Sequence, residues 1–416
     1  MRHYLKTTGF VAVGLLGLQA AHGQSKPWSV SASVRGFYDD NYATAPSTPP
    51  PGTAGKQNSF GVEFSPGASL TVKRGQTDLL LEYLYTVKYY EDRANSADHS
   101  HQFDARLDQK FGAERYRASV RDSFVVAQES ALIDPALAAT PLRSNGDNLR
   151  NTAELSLQAD LTGPLALELG YVNNFYDYQE TGPASRSALL DRMEHLARAN
   201  ARWEIQRNSI ALLGYQFGVM DQTSKDFVDA AATIPANVRD NHSHYVYLGI
   251  DHYFTDRLSV HPRAGVQYTE FPNALPPARD NTFGPYADVS ASYTYAENSS
   301  LQLGARHSRT QTDVAVVGPG GATLDAETTA VYASIKHGIT AKLKAGALVQ
   351  FQSSEFNQGA AGNQRDNYFI AGLNLGYDIN EFLTAEAGYN LDRLSSDLAS
   401  RSFTRNRVYI GIRAKY

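Results

Sequence analysis

The run Arg405-Asn406-Arg407-Val408-Tyr409-Ile410-Gly411-Ile412-Arg413-Ala414-Lys415-Tyr416 has two unlike faces when read as a strand. Side chains alternate across a strand, so Val408, Ile410, Ile412, Ala414 and Tyr416 share one side and Arg405, Arg407, Tyr409, Gly411, Arg413 and Lys415 the other. So many cations would be hard to bury inside a water-soluble sheet. A barrel with lipid outside and water inside requires this pattern, because its two faces meet two different solvents.

The rest of the chain repeats the plan. From Trp28 onward, alternating runs of about a dozen residues are joined by a short turn, then a longer polar loop, then a short turn again. Leu196–Gln206 is the clearest run, with Ala197, Ala199, Ala201, Trp203 and Ile205 opposite Arg198, Asn200, Arg202 and Glu204. Short turns are expected at 74–76, 112–114, 163–164 and 255–256, and the loop 43–52, rich in proline, cannot be regular structure. No near-identical unit recurs, so the pattern is a meander of hairpins and not a solenoid. The expectation is an all-β fold: a closed antiparallel up-and-down transmembrane barrel of about 18 strands, or about 16, with no plug domain. An even count places both chain ends on the periplasmic side and the long loops outside the cell.

Composition agrees. There are 25 Tyr and 18 Phe against two Trp, together with 32 Gly, as expected of strands with one wet face. No apolar run of about 18 residues is available for a helical span. Cysteine is absent, which excludes disulfides and thiolate metal sites, and a net charge of −5 gives no reason to expect nucleic acid as a partner. Arg2 and Lys6, the apolar run Phe10–Leu18 and the small-residue site Ala21-His22-Gly23 make residues 1–23 a secretory signal peptide, leaving 24–416 as the barrel.

The terminal strand also resembles the C-terminal assembly signal of bacterial outer-membrane barrels, with Tyr409, Gly411, Ala414 and Tyr416 in its places. Ala414 is smaller than the aromatic residue usual there. More narrowly, the chain resembles the beta-barrel porin 2 type of outer-membrane protein. That resemblance implies a Gram-negative outer-membrane location after Sec-type export, with membrane lipid and lipopolysaccharide as surroundings and the barrel-assembly machinery as a partner during insertion. It implies a porin, and some members of the type lie with exopolysaccharide export systems.

The inward register is expected to carry Arg106, Arg117, Arg121, Arg198, Arg202, Arg263, Arg306, Lys342, Lys344, Arg405, Arg407, Arg413 and Lys415 as a basic pore lining. It also carries acids, among them Glu63, Glu154, Glu168, Asp288 and Glu386. The modest cationic excess would weakly favour anions, while the same groups read as ion pairs would brace neighbouring strands. The loops Glu129–Asp147 and Gln222–Asp240 are long enough to constrict the interior.

Catalytic and metal chemistry find little footing. His307-Ser308 are neighbours on a strand and point to opposite faces, so they cannot form a nucleophile and base pair. His99-Ser100-His101 and His242-Ser243-His244 put two imidazoles on one side and could hold a divalent ion with a third ligand, or stand at the membrane rim. No cofactor and no catalytic residue is expected. The leading reading is a passive pore for small hydrophilic solutes. The alternatives are an exopolysaccharide conduit with aromatic residues along its path and a periplasmic export partner, and a non-conducting structural or adhesive barrel whose loops fill the lumen.

Overall fold

The computed structural model describes residues 26–127, 146–276, 278–318 and 321–416. The proposed signal peptide and most of the loop Glu129–Asp147 lie outside these residues. One sheet of 18 antiparallel strands closes on itself, each strand paired with its neighbours in sequence and β1 with β18. In order they are β1 Trp28–Asp39, β2 Ser59–Arg74, β3 Thr77–Tyr90, β4 Ala97–Phe111, β5 Tyr116–Ala127, β6 Asn148–Asp160, β7 Leu165–Tyr178, β8 Arg192–Gln206 and β9 Ser209–Gln222. The second half runs β10 Asn241–Thr255, β11 Leu258–Glu270, β12 Asn281–Ala296, β13 Ser299–Thr310, β14 Asp325–Gly338, β15 Leu343–Asn357, β16 Arg365–Asp378, β17 Leu383–Ser396 and β18 Phe403–Lys415. Twelve residues, the shortest strand here, reach about 40 Å at ~3.3 Å per residue, enough to cross the apolar band when tilted.

The outward face is apolar and exposed because lipid is its solvent: Ile410 is 72% exposed, Leu248 65% and Phe60 62%. Aromatic residues edge this band. At the short-turn end stand Trp28, Trp203, Phe254, Phe382 and Tyr416, and at the long-loop end Phe60, Tyr89 and Phe283. Lys26 holds the Tyr416 hydroxyl at 2.8 Å and lies 4.1 Å from its ring, so the last residue is tied to the first strand's entry. Closure therefore consumes the last sheet edge, which would otherwise be an unpaired ladder in lipid.

Three prolines fall inside strands, and each interrupts a ladder. Pairing between β2 and β3 skips Ser65 and Pro66, that between β10 and β11 skips Pro262, and that between β12 and β13 stops before Pro285. Proline lacks the N–H that the neighbouring strand needs. Side chains repair the gaps: Thr86 donates to the Ser65 hydroxyl at 3.0 Å, and Arg263 donates to the orphaned Ile250 carbonyl at 3.1 Å. At the third gap the Arg309 N–H donates to the side-chain carbonyl of Gln267 at 2.9 Å.

Inward glycines have a specific task. Gly388 pairs with Tyr409 and Gly214 with Tyr247, and each tyrosine ring lies flat over its glycine. A methyl group at Gly388 would stand 2.3 Å from the Tyr409 ring. Gly388→Ala is expected to cost roughly 1–3 kcal/mol by overpacking, read as a lower urea midpoint in tryptophan fluorescence. An unchanged midpoint would show that the ring can swing into the lumen freely.

Expectation and structure differ mainly at the long-loop end. β4, β8 and β12 begin four or five residues before the alternation does, and β15 runs on to Asn357. Above the lipid both faces of a strand meet polar surroundings, so the apolar period fades while the ladder continues. Lys342 is a correction: it lies in the turn between β14 and β15, exposed and off the strand. The connections also hold a helix, α1 Arg186–Leu190, and a 3-10 turn, Ala236–Arg239.

Candidate functional site

The inner wall is a chain of ion pairs. Arg121 and Arg198 share Glu154 at 3.8 and 3.0 Å, and Arg198 and Arg202 share Glu168 at 3.8 and 3.1 Å. Arg202 also reaches Asp251 at 2.7 Å, which Arg263 and His261 contact as well. Further round, Arg306 meets Asp288, Arg117 meets Asp160, Arg106 meets Asp108 and Lys344 meets Asp378. Where β1 closes on β18, Arg405 and Arg407 hold the fully buried Asp39, and Arg413 and Arg35 hold Glu386. Of the expected basic residues, then, all but Lys342 sit on the inward register, and most of them face a carboxylate within 4 Å.

Asp39 and Asp251 were missed as inward acids, though both anchor two arginines. Asp39 is the last residue of β1, where the strand gives way to the first long loop. Asp251 was legible, since it follows Tyr245, Tyr247 and Gly249 on the inward register of β10. Between the walls lies a space of about 410 Å³ lined by Ser31, Arg35, Glu63, Gln302 and Asn374, among others.

The connections fold over the mouth. The helix α1 covers Tyr178 and Arg192, inward residues at the tops of β7 and β8 that are 2% and 5% exposed. Ser185 caps the helix by accepting from the Ala188 N–H. Arg239 is fully buried and donates to the carbonyls of Leu189, Leu324 and Thr312, tying together three connections. Burial pulls its guanidinium down to about 10, still charged at neutral pH. Arg401 adds a second clasp, to Asp313 at 2.5 Å and Asp366 at 2.7 Å. The loop Gln222–Asp240 meets the connections that follow β7 and β13 through Arg239.

Asp191, at the C-terminal end of α1, is pushed up to about 6 by burial, against the smaller opposing effects of its bonds from Ser187 and the Tyr178 N–H. A carboxyl raised in the folded state supports docking below about pH 4, and that support is lost as pH rises through about 6. Amide exchange over 186–190, corrected for intrinsic rates, is therefore expected to be several-fold faster at pH 7.5 than at pH 5. Asp191→Asn should abolish the difference; a difference that survives would assign it to another group.

The histidine pairs face outward. His99 and His101 bond Tyr85 and Tyr83 at 2.7 and 2.9 Å, and His244 bonds Tyr215 at 2.8 Å. They join the aromatic edge of the lipid band, and among the described residues no group of three or more His, Asp or Glu is placed to hold a metal ion. His307 faces outward to Thr329, while Ser308 is buried on the other face. Sequence reading missed a different constellation. The Ser259 hydroxyl meets His261 Nε2 at 3.1 Å, and Asp251 meets His261 Nδ1 at 3.0 Å, the connectivity of a catalytic triad. Ser259 lies in ladders with both neighbouring strands and His261 in the ladder with β12, and Pro262, the residue after the histidine, has no N–H to offer an oxyanion. Two arginines occupy the aspartate, which makes this a bracing network.

Comparison with known proteins gives one sequence match. Residues 319–416 match the family model described as "Putative beta-barrel porin 2". The match spans β14 to β18, roughly the last quarter of the chain, and includes the terminal strand. No curated protein matches the chain. Among solved structures it is similar to a BenF-like porin from Pseudomonas fluorescens Pf-5, at 11% identity over 94% of this chain and 99% of that one, TM-score 0.45. It is similar to the outer membrane protein opdK from Pseudomonas aeruginosa, at 12% identity over 94% and 99%, TM-score 0.45. The FrpB iron transporter from Neisseria meningitidis is similar at 10% identity over 95% and 83%, TM-score 0.44. A closed, even-stranded barrel with lipid outside and polar groups inside is suited to a Gram-negative outer membrane.

Proposed function

We propose that this barrel is a channel for passive diffusion of small hydrophilic solutes, non-enzymatic, reaching the outer membrane by Sec-type export and inserted by the barrel-assembly machinery. The observation that carries this reading is an inner wall of polar and charged side chains facing a space left open between them. Because most wall cations are paired, the field they project is small, and selectivity is expected to be a mild anion preference that weakens with salt. The basic lining then works as bracing first and as a selectivity element second.

Single-channel conductance of the refolded barrel in planar bilayers, with reversal potential under a salt gradient, tests this. Stable steps with a small anion-side reversal potential are expected. Silence from a folded barrel would overturn the passive-pore reading in favour of a barrel closed by its loops. A second reading, a saccharide conduit with an export partner, is favoured by the inward tyrosines Tyr245, Tyr247 and Tyr286, which pack together on β10 and β12. Reversible current block by maltooligosaccharides, absent with uncharged solutes of other shape, would select it.

A further inference from the structure

One carboxylate faces the lipid band. A row of directly paired residues climbs the tilted wall from Trp28 at the short-turn end of β1 to Glu270 at the long-loop end of β11, and its fifth member is Asp122. Asp122 shares the outward register of β5 with Val120 and Phe124. It stands about 15 Å in height above Tyr116, the first residue of β5, in an apolar band about 25 Å tall. Among the described residues, the other outward carboxylates of the strands, such as Asp177, Asp221 and Glu270, lie at or next to strand ends. A charge within the band is costly in hydrocarbon, so its position marks a face that lipid does not cover.

Its neighbours extend the polar patch over four strands. Asn151 on β6 donates to the Asp122 carboxylate at 3.1 Å. Asn173 on β7 meets His195 on β8 at 3.3 Å, and the Tyr171 hydroxyl meets the same imidazole nitrogen at 2.7 Å. Among the described residues, one oxygen of Asp122 and Nε2 of His195 are left without a hydrogen-bond partner. Ala153 lies between Asp122 and Asn173 in the row, so the centre of the patch is low. The line between β6 and β7 divides it in two. Asp122 and Asn151 make a carboxylate half on β5 and β6, and Asn173 and His195 an imidazole half on β7 and β8. A two-fold axis along the membrane normal on that line lays each half against the opposite half of a second copy, β6 on β7 and β5 on β8. The contact is self-complementary, acid toward imidazole and amide toward amide, and both barrels keep the same direction of insertion.

We propose that β5 to β8 form the face through which two copies of this barrel associate side by side in the membrane, the imidazole half of each covering Asp122 of the other. The inference rests on outward residues alone and stands whether or not the barrel conducts. The chain has no cysteine, so single cysteines report position cleanly. Ala153→Cys, beside the axis, and Ala333→Cys, outward on β14 across the barrel, are each expressed in outer membranes and treated with a short bis-maleimide. Heat-modifiable migration on gels confirms a folded barrel, and denaturing gels read monomer against covalent dimer. Ala153→Cys is expected to link at least about tenfold more than Ala333→Cys, because a bound copy raises the effective concentration of its own cysteine. His195→Asp, which sets acid against acid, should bring linking at residue 153 down to the Ala333→Cys level, and adding Asp122→Asn should restore it. Equal linking at the two positions in folded barrels would overturn the proposal, since both are mild changes on the lipid side. So would adducts of residue 153 with other proteins in place of a second barrel, or linking indifferent to His195→Asp.

Discussion

Asp251→Ala is expected to lower the barrel's stability by roughly 3–5 kcal/mol, the largest effect of any single change in the inner wall. Asp251 is 3% exposed and contacts Arg202, Arg263 and His261 at once. Removing it leaves two guanidiniums facing each other without a counter-charge in a region that water reaches poorly. Arg202 keeps Glu168, but Arg263 keeps only carbonyl partners beside the ladder gap at Pro262. The measurement is urea unfolding followed by the two tryptophans, Trp28 and Trp203, both on the lipid face. The same variant should shift the reversal potential further toward anions, since one inward negative charge is gone. A midpoint within experimental error of the parent barrel would show that the network is decorative and that the ladders alone hold this wall.

Arg239→Met is expected to act on the mouth and leave the barrel intact. The side chain keeps its bulk but loses donors to three carbonyls on two other connections, and bonds from a charged donor are worth about 1.5–3 kcal/mol each. The connections should then part far more often, giving a larger and noisier open-channel current while the urea midpoint of the strands stays in place. Arg401→Met, which frees Asp313 and Asp366, should add to the effect. Unchanged conductance in both variants would show that the folded connections do not narrow the path.

Much of this molecule can be read along the chain. Two-faced strands of the right length, with short turns alternating with long loops, follow from side-chain alternation and from the demand that a strand in lipid have no unpaired edge. The terminal run Val408–Tyr416 states both faces explicitly, and the even strand count and the inward placement of most basic residues follow from the same period. The period fails where its cause fails. Above the lipid, Ala97–His101 and Asn281–Pro285 remain in the sheet without a clean apolar stripe, and at Lys342 the alternation continues into a turn.

Pairing belongs to the closed structure. Alternation says that Arg405 and Arg202 point inward, but which carboxylate each meets depends on register between strands, and for Arg405 and Asp39 on closure across 366 residues of chain. Ladder gaps at Pro262 and Pro285 show why: a proline is visible in any sequence, whereas the side chain that repairs its gap comes from wherever the neighbouring strand brings one. The clasp of Arg239 on three carbonyls has no sequence signal at all, because backbone carbonyls are the same at every residue.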